Sequence, residues 1–300
     1  MTRIPPGGGA RGLTPGAARA MVVPMAVVLG ITALLPFLLL IGMSLFEMDL
    51  SRAGSQSRFI GLAHYQELLV DRRFSSAVEL TVGFVLFGLV VETVVGCGMA
   101  VYLHMLKPRL RSLLTTAILV PMLLPPVMVG LTWLFLLQPD YGLVSHGLQA
   151  MFGVEGTILS DPRFAMIAVR LVDVWEWTPF VTLVVLAGIE SIPAQILNAA
   201  EIDGLTMLQR LKALYWPAIC RLLALIVILR AIDAIKVFDS LYLLTGGGPG
   251  TSTELVTLFT YRIAVQQTRI GYGASATVVV TYAILLLTML FYRFSGTKRS

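Results

Sequence analysis

The chain of 300 residues is 57% hydrophobic and only 13% charged, and its mean hydropathy is +0.84. Soluble domains contain about 25% charged residues, so this composition leaves too little polar surface for a soluble globule. It excludes a soluble enzyme, a disordered chain and a disulfide-stapled secreted domain, and it leaves a polytopic membrane protein. We attribute the net charge of +5 to basic cytoplasmic loops before considering nucleic acid.

The chain begins with a segment rich in Gly, Pro and Arg, over residues 1–20, that has no hydrophobic period. We interpret it as a flexible basic cytoplasmic tail. The apolar run over 21–46 is longer than the core of about 7–15 residues in a cleavable signal, so we predict a retained first membrane span. The remaining chain, residues 21–300, is predicted to be one transmembrane domain.

Five further apolar segments are long enough to cross a bilayer, which takes about 20 residues. Because hydrocarbon cannot satisfy backbone polar groups, each segment must be a helix, and we predict an all-α fold with six transmembrane helices. Pro121, Pro125 and Pro126 fall inside the third span and are expected to bend it. The five predicted spans are 77–103, 113–137, 165–190, 219–244 and 273–294.

The distribution of Lys and Arg predicts the orientation of these spans. The tail, the loops after spans two and four and the C-terminal end together carry twelve Lys and Arg, against seven in the opposite loops. The short loop 104–112 is basic and contains no acidic residue. Since cytoplasmic loops carry the excess of Lys and Arg, both termini are predicted to lie in the cytoplasm.

A long cytoplasmic loop, about 191–218, is predicted between spans four and five. Pro193 suits the first turn of a helix, Gly204 can end that helix in a left-handed conformation, and a second amphipathic segment stops at Pro217. Such a helix–glycine–helix segment suits insertion into a cleft on a partner, but it is equally compatible with a simple connecting hairpin. The pattern leaves both interpretations open.

A motif in this loop resembles the EAA loop of permease subunits in bacterial ABC importers. The motif is NAAEIDG over 198–204, with Pro217 thirteen residues after its glycine. The stretches FDSLYLLTGGGP over 238–249 and FIGLAHY over 59–65 are similar to the carbohydrate-uptake branch of these permeases, of the maltose, trehalose, glycerol-phosphate and polyol type. The resemblance covers about residues 59–294 and implies the type I permease fold of ABC importers.

In that family the EAA loop docks into the ATP-binding subunit and transmits its closure. The family usually has Glu where Asn198 stands, so the polar contacts of the dock differ here, and Glu201 is a candidate replacement for the missing charge. The coupling residues that the resemblance implies are Asn198, Ala199, Ala200, Glu201, Asp203 and Gly204.

Spans four and five carry ionisable residues, which must face one another or a wet cavity because each charge near a helix centre costs about 2.5–3.5 kcal/mol in lipid. Basic and acidic residues alternate at intervals of three from Arg230 to Asp239. They form either a self-neutralising ladder or a polar site for sugar hydroxyls beside aromatic rings. The helical stripes, together with the pattern of maltose-type permeases, give the candidate substrate-binding residues Asp173, Glu176, Trp177, Phe180, Arg230, Asp233, Ala234 and Val237.

Glu92, in the middle of span two, also needs a partner. We expect either a hydrogen bond between two helices of this chain or a contact with a second permease subunit. The sequence shows no catalytic and no metal-binding spacing: Gly-x-Ser-x-Gly and Cys-x-x-Cys do not occur, and the three His are scattered.

The sequence therefore predicts a permease subunit of a binding-protein-dependent ABC importer in a bacterial inner membrane. Its expected substrate is a disaccharide such as trehalose or maltose, or a related polyol, moved by alternating access. The chain itself needs no cofactor, because ATP and Mg are bound by partner subunits. The partners that the resemblance implies are a second homologous permease, two copies of an ATP-binding cassette subunit, an extracytoplasmic sugar-binding protein and membrane lipid, without nucleic acid.

An ion-coupled secondary transporter is the alternative. In that case the intramembrane carboxylates Asp173, Asp233 and Asp239 would carry protons or sodium instead of binding sugar. The EAA-like loop and the lack of an obvious inverted repeat argue against this alternative.

Overall fold

The structure is a computed structural model that describes residues 15–49, 57–152 and 158–296. These residues are helical almost throughout, as predicted, and a hairpin of two-residue strands pairs Phe46 with Phe59. The elements are α1 (Pro15–Leu29), α2 (Leu35–Ser44), β1 (Phe46–Glu47), β2 (Arg58–Phe59), α3 (Ala63–Val70), α4 (Arg72–Met105), α5 (Pro108–Ile118), α6 (Val120–Leu123), α7 (Pro126–Leu136), α8 (Leu143–Phe152), α9 (Pro162–Glu190), α10 (Ala194–Ile202), α11 (Met207–Arg210), α12 (Trp216–Ile235), α13 (Asp239–Thr245), α14 (Val256–Tyr261) and α15 (Ile270–Gly296). Short π-helical segments occupy Gly30–Leu34, Leu211–Tyr215 and Arg262–Gln266, and a 3-10 turn occupies Ile158–Ser160.

All six predicted spans are helical, and two of them are divided. In the part of the chain that the structure describes, four helices are long and apolar enough to cross a bilayer: Val22–Ser44, Arg72–Met105, Pro162–Glu190 and Ile270–Phe291. The third predicted span consists of α5, α6 and α7, and the fifth consists of α12 and α13. The predicted tail over 1–20 falls mostly outside the described residues, and its last part, from Pro15, is helical because it continues into the first span.

The break in the third span follows from its prolines, as expected. Leu124 and Pro125 have ψ angles of 136° and 141°, outside the helical region. A residue that precedes proline is driven out of the helical region by the proline ring, which accounts for both angles.

The break in the fifth span contains no proline or glycine, so the sequence does not predict it. α12 ends at Ile235, and Phe238 has φ −143°. The Val237 carbonyl, which loses its helical partner there, accepts a hydrogen bond of 2.6 Å from the Thr257 hydroxyl. The hydroxyl of Thr257 therefore replaces the hydrogen bond that the Val237 carbonyl would accept in a continuous helix.

Helices α4, α9 and α12 pack together at the centre of the domain. Their facing side chains form two apolar clusters, one around Phe84 and Val169 and the other around Val185 and Ile226. α7 packs on α13, and α15 packs on α2 and on α14. The three central helices therefore carry the side chains that face the middle of the domain.

α4 and α9 approach closely at Gly96. A Cβ atom at that position would lie 2.7 Å from Cγ1 of Val181 and 3.2 Å from the backbone N of Thr182. Because lipid is as apolar as the side chains, helices in a membrane associate through close packing, and small residues permit it. Gly96 therefore permits the close approach of these two helices.

We expect Gly96→Ala to lower the free energy of unfolding by about 1–3 kcal/mol, because its methyl group would overlap the fully buried Val181. Thermal unfolding of the purified protein in detergent measures this. Gly98→Ala is the matched control, since no atom lies within 4 Å of its Cβ position, and it should be neutral or gain up to about 1 kcal/mol. Equal unfolding of the two variants would contradict the packing argument.

Candidate functional site

A buried ionic cluster joins α4, α9 and α12. Nε of Arg230 donates to Oε2 of Glu92 at 2.9 Å, and Nη2 donates to Oε1 of Glu92 at 3.0 Å and to Oδ2 of Asp173. Arg230 is 2% exposed, Glu92 is 0% exposed and Asp173 is 5% exposed. The partner of Glu92 therefore lies in the same chain, so the expected helix–helix contact is present and a second permease subunit is not needed for it.

The same guanidinium is covered on one face, and its remaining nitrogen, Nη1, makes only a long contact. Its Cζ lies 4.9 Å from the centroid of the Trp177 ring, and its Nη1 lies 3.5 Å from Oδ2 of Asp233. The alternating charges of span five therefore do not form one ladder, because α12 ends at Ile235 and Asp239 begins another helix. The main partners of Arg230 lie on other helices.

A polar cavity of about 180 Å³ lies beside this cluster, at the break between α12 and α13. It contains carboxylates, an ammonium group and aromatic rings, the mixture that sugar hydroxyls and the apolar face of a sugar ring require. The residues that line it are Pro126, Glu176, Trp177, Asp233, Lys236, Val237, Phe238, Asp239 and Ser240.

Two larger cavities in the described residues have a different character. One of about 450 Å³ lies between α4, α5 and α9, and one of about 690 Å³ lies between α4, α12 and α15. Both are lined almost entirely by apolar side chains. A desolvated hydroxyl without a partner costs about 1–3 kcal/mol, so these cavities suit acyl chains better than sugars.

The structure brings four of the eight candidate substrate-binding residues to the polar cavity. Those four are Glu176, Trp177, Asp233 and Val237. Asp173, Arg230 and Ala234 are buried beside it, and Phe180 packs edge-on against Trp177 with ring centroids 6.3 Å apart.

The candidate substrate-binding residues predicted from the sequence did not include the other five that line this cavity: Pro126, Lys236, Phe238, Asp239 and Ser240. The Pro125–Pro126 pair announces the break that brings Pro126 to the cavity. The neighbouring sequence does not predict the position of Phe238, because the segment between Ile235 and Asp239 contains no residue that breaks helices.

The loop between α9 and α12 contains two capped helices joined at a glycine. Gly204 has φ +67°, and its N–H donates to the Glu201 carbonyl at 3.1 Å, while the N–H of Leu205 donates to the Ala200 carbonyl at 3.0 Å. These two bonds make the complete Schellman end of α10. The Thr206 N–H donates to the Gln209 side chain at 2.8 Å, which starts α11. Both sides of the joint therefore have fixed geometry.

Five of the six predicted coupling residues are exposed in the structure: Asn198, Ala199, Glu201, Asp203 and Gly204. Ala200 is only 5% exposed, so its small side chain fits packing within the loop. The second predicted segment does not stop at Pro217, because the π-helical segment Leu211–Tyr215 leads directly into α12. Pro217 is accommodated in the first turn of α12, where its missing N–H costs little.

Arg111 ties the base of this loop to the rest of the domain. Its Nη1 lies 2.5 Å from Oε1 of Glu190, at the end of α9, and its other nitrogens donate to the carbonyls of Leu103 and His104 at 3.2 and 2.9 Å. A cation at the C-terminal end of a helix satisfies free carbonyls and opposes the helix dipole. The ends of α4 and α9 are thereby joined next to the loop.

A second ionic group lies on the predicted extracytoplasmic side. Glu254 is 1% exposed and accepts hydrogen bonds from Arg73 at 2.7 Å and from Arg262 at 2.8 Å. Nearby, burial acts to raise the pKa of Asp71, but hydrogen bonds from the Tyr272 hydroxyl and from two backbone N–H groups lower it below its usual value. These contacts fasten the start of α4 to α14 and α15.

Comparison with known proteins identifies the class to which this arrangement belongs. The family described as "Binding-protein-dependent transport system inner membrane component" matches residues 92–299. The trehalose/maltose transport system permease protein MalF of Thermococcus litoralis is 31% identical over 282 residues, covering 93% of this chain and 93% of the relative. The sulfoquinovosyl glycerol transport system permease protein SmoG of Agrobacterium fabrum is 29% identical, covering 93% and 90%.

The fold is also that of a known transporter. A chain in the crystal structure of a bacterial alginate ABC transporter, in complex with an alginate pentasaccharide-bound periplasmic protein, matches with a TM-score of 0.81. The identity is 20%, and the match covers 93% of both chains. The predicted type I permease fold is therefore confirmed.

Proposed function

Because the chain belongs to the family of binding-protein-dependent transport system inner membrane components, we propose that it carries a saccharide through an ABC importer driven by ATP hydrolysis in partner subunits. Members of this family are transport components of the inner membrane, so the chain is a multi-pass membrane protein and not an enzyme. Both points agree with the sequence prediction.

The polar cavity at the helix break is the observation that carries the proposal of a sugar substrate. Glu176 and Asp233 offer acceptors for hydroxyls, Lys236 offers donors, and the rings of Trp177 and Phe238 offer apolar faces. The names of two relatives, permeases of a trehalose/maltose and of a trehalose transport system, favour a disaccharide such as trehalose or maltose. The substrate-binding residues that we propose are therefore the four predicted ones that line the cavity.

Coupling to ATP is assigned to the exposed end of α10. The rigid joint at Gly204 supports a role as a lever, because a capped helix moves as a unit. The partners of this proposal are a second homologous permease, two ATP-binding subunits that hold ATP and Mg, and an extracytoplasmic binding protein, with both termini of this chain in the cytoplasm. Closure of the ATP-binding dimer would then turn the cavity outward.

The secondary transporter is not favoured. An ion-carrying carboxylate must be able to release its ion, but Asp173 is buried against Arg230, and both belong to a cluster that joins three helices. The family assignment argues in the same direction.

ATP hydrolysis by the reconstituted complex with its binding protein tests the proposed function. We expect one class within a panel of disaccharides, polyols and sugar phosphates to stimulate hydrolysis and to enter proteoliposomes only with ATP. Uptake that follows a proton or sodium gradient and ignores ATP would contradict the proposal and support the secondary transporter.

A further inference from the structure

The charged groups that line the polar cavity are mainly acidic. Glu176, Asp233 and Asp239 contribute three carboxyl groups, and Lys236 contributes the one amino group among the described residues that line it. The described lining therefore carries more acidic than basic groups.

Glu176 is a buried acidic residue of this lining that forms no hydrogen bond with another described residue. The residue is 5% exposed and lines the cavity, yet its carboxyl group has no hydrogen bond or ion pair with any described residue. Buried polar groups in proteins are almost always hydrogen-bonded to protein or water, so a largely buried carboxyl that lines a cavity without a partner in the chain is placed to accept hydrogen bonds from a ligand.

The nearby guanidinium is engaged mainly by carboxylates of its own chain. Arg230 is 2% exposed, its Nε and Nη2 donate to Glu92 and Asp173, and the Trp177 ring covers one face. The residue therefore neutralises buried carboxylates of its own chain. Lys236 remains as the only cation of the described lining for a bound anion.

We propose that this chain selects saccharides that carry no acidic group, accepting neutral sugars and amino sugars and rejecting phosphorylated or carboxylated ones. The proposal rests on the proposed function and names its substrate class. An anionic ligand beside Glu176 would also meet the carboxylates of Asp233 and Asp239 at close range, which acts as a barrier against that class of ligand. Hydroxyl and ammonium groups would instead donate to Glu176 and its neighbours.

Equilibrium binding to the purified complex, without the binding protein, tests the selection directly. The probes are radiolabelled trehalose, a monoamino derivative of trehalose and a monophosphate of trehalose. We expect the monophosphate to bind at least about tenfold more weakly than the other two, since like charges in contact cost several kcal/mol. Equal or tighter binding of the monophosphate, or no binding of any probe, would overturn the proposal.

A double variant shows whether these carboxylates cause the difference. Glu176→Gln with Asp239→Asn should reduce the difference in affinity, which we call the gap, between trehalose and its monophosphate by about tenfold. Asp140→Asn, an exposed acidic residue outside the cavity, is the matched control and should leave the gap unchanged. An unchanged gap in the double variant would overturn the proposal. If no sugar stimulates ATP hydrolysis by the unmodified complex, that result would instead contradict the proposed function.

Discussion

Replacing Arg230 with Met is expected to lower the free energy of unfolding of the domain by about 3–5 kcal/mol. The substitution leaves Glu92 and Asp173 buried without a cation, since both accept hydrogen bonds from this guanidinium and neither is more than 5% exposed. Removing one partner of a buried ion pair is costly because the remaining charge keeps its desolvation penalty.

Thermal unfolding in detergent and the amount of folded protein in membranes measure this effect. Arg221→Met is the matched control, because Arg221 is an exposed residue on the same helix. A triple variant with Glu92→Gln, Asp173→Asn and Arg230→Met should recover much of the stability, since it removes the charges together. If Arg230→Met unfolds like the control, the cluster does not hold the three helices together.

Gly204→Pro is expected to abolish sugar uptake and sugar-stimulated ATP hydrolysis while the protein still inserts into the membrane. Proline fixes φ near −65°, whereas Gly204 has φ +67°, and proline lacks the N–H that donates to the Glu201 carbonyl. The end of α10 would lose its Schellman bonds, so the exposed residues of α10 would no longer be held at a fixed angle to α11.

Uptake and ATP hydrolysis by the reconstituted complex test this prediction, with the amount of inserted protein as the reference. Gly204→Asn is the matched control, because Asn adopts the left-handed conformation more readily than other residues with a side chain. It should retain most of the uptake. Normal transport by Gly204→Pro would show that this loop does not couple ATP hydrolysis to transport.

The sequence predicted the helical fold because each span is a long apolar segment and a membrane leaves the backbone no alternative. It also predicted the helix that ends at Gly204, since that end depends on one residue and its immediate neighbours. Arg230 was harder to place. Its alternation with Asp233 pointed to a local ladder, but its strongest partners, Glu92 and Asp173, are 138 and 57 residues away.

The polar cavity was predicted only in part, for a related reason. Helical periodicity correctly grouped Glu176 with Trp177, which lie on one continuous helix. Beyond Ile235, where the helix breaks, it placed Val237 at the cavity but not the neighbouring Phe238. The break depends on Thr257, which binds the Val237 carbonyl from another helix, and one sequence read along its length gives no sign of that contact.

The cluster around Arg230 can be completed only late in the synthesis of the chain. Arg230 emerges from the ribosome 138 residues after Glu92, which at about 5–20 residues per second is a delay on the order of ten seconds. The helix that carries Glu92 is made first and the helix that carries Asp173 is made 81 residues later, and both precede the cation that will neutralise them. They must therefore wait in a hydrated environment, or with their carboxyls protonated, until the fifth span arrives and completes the domain.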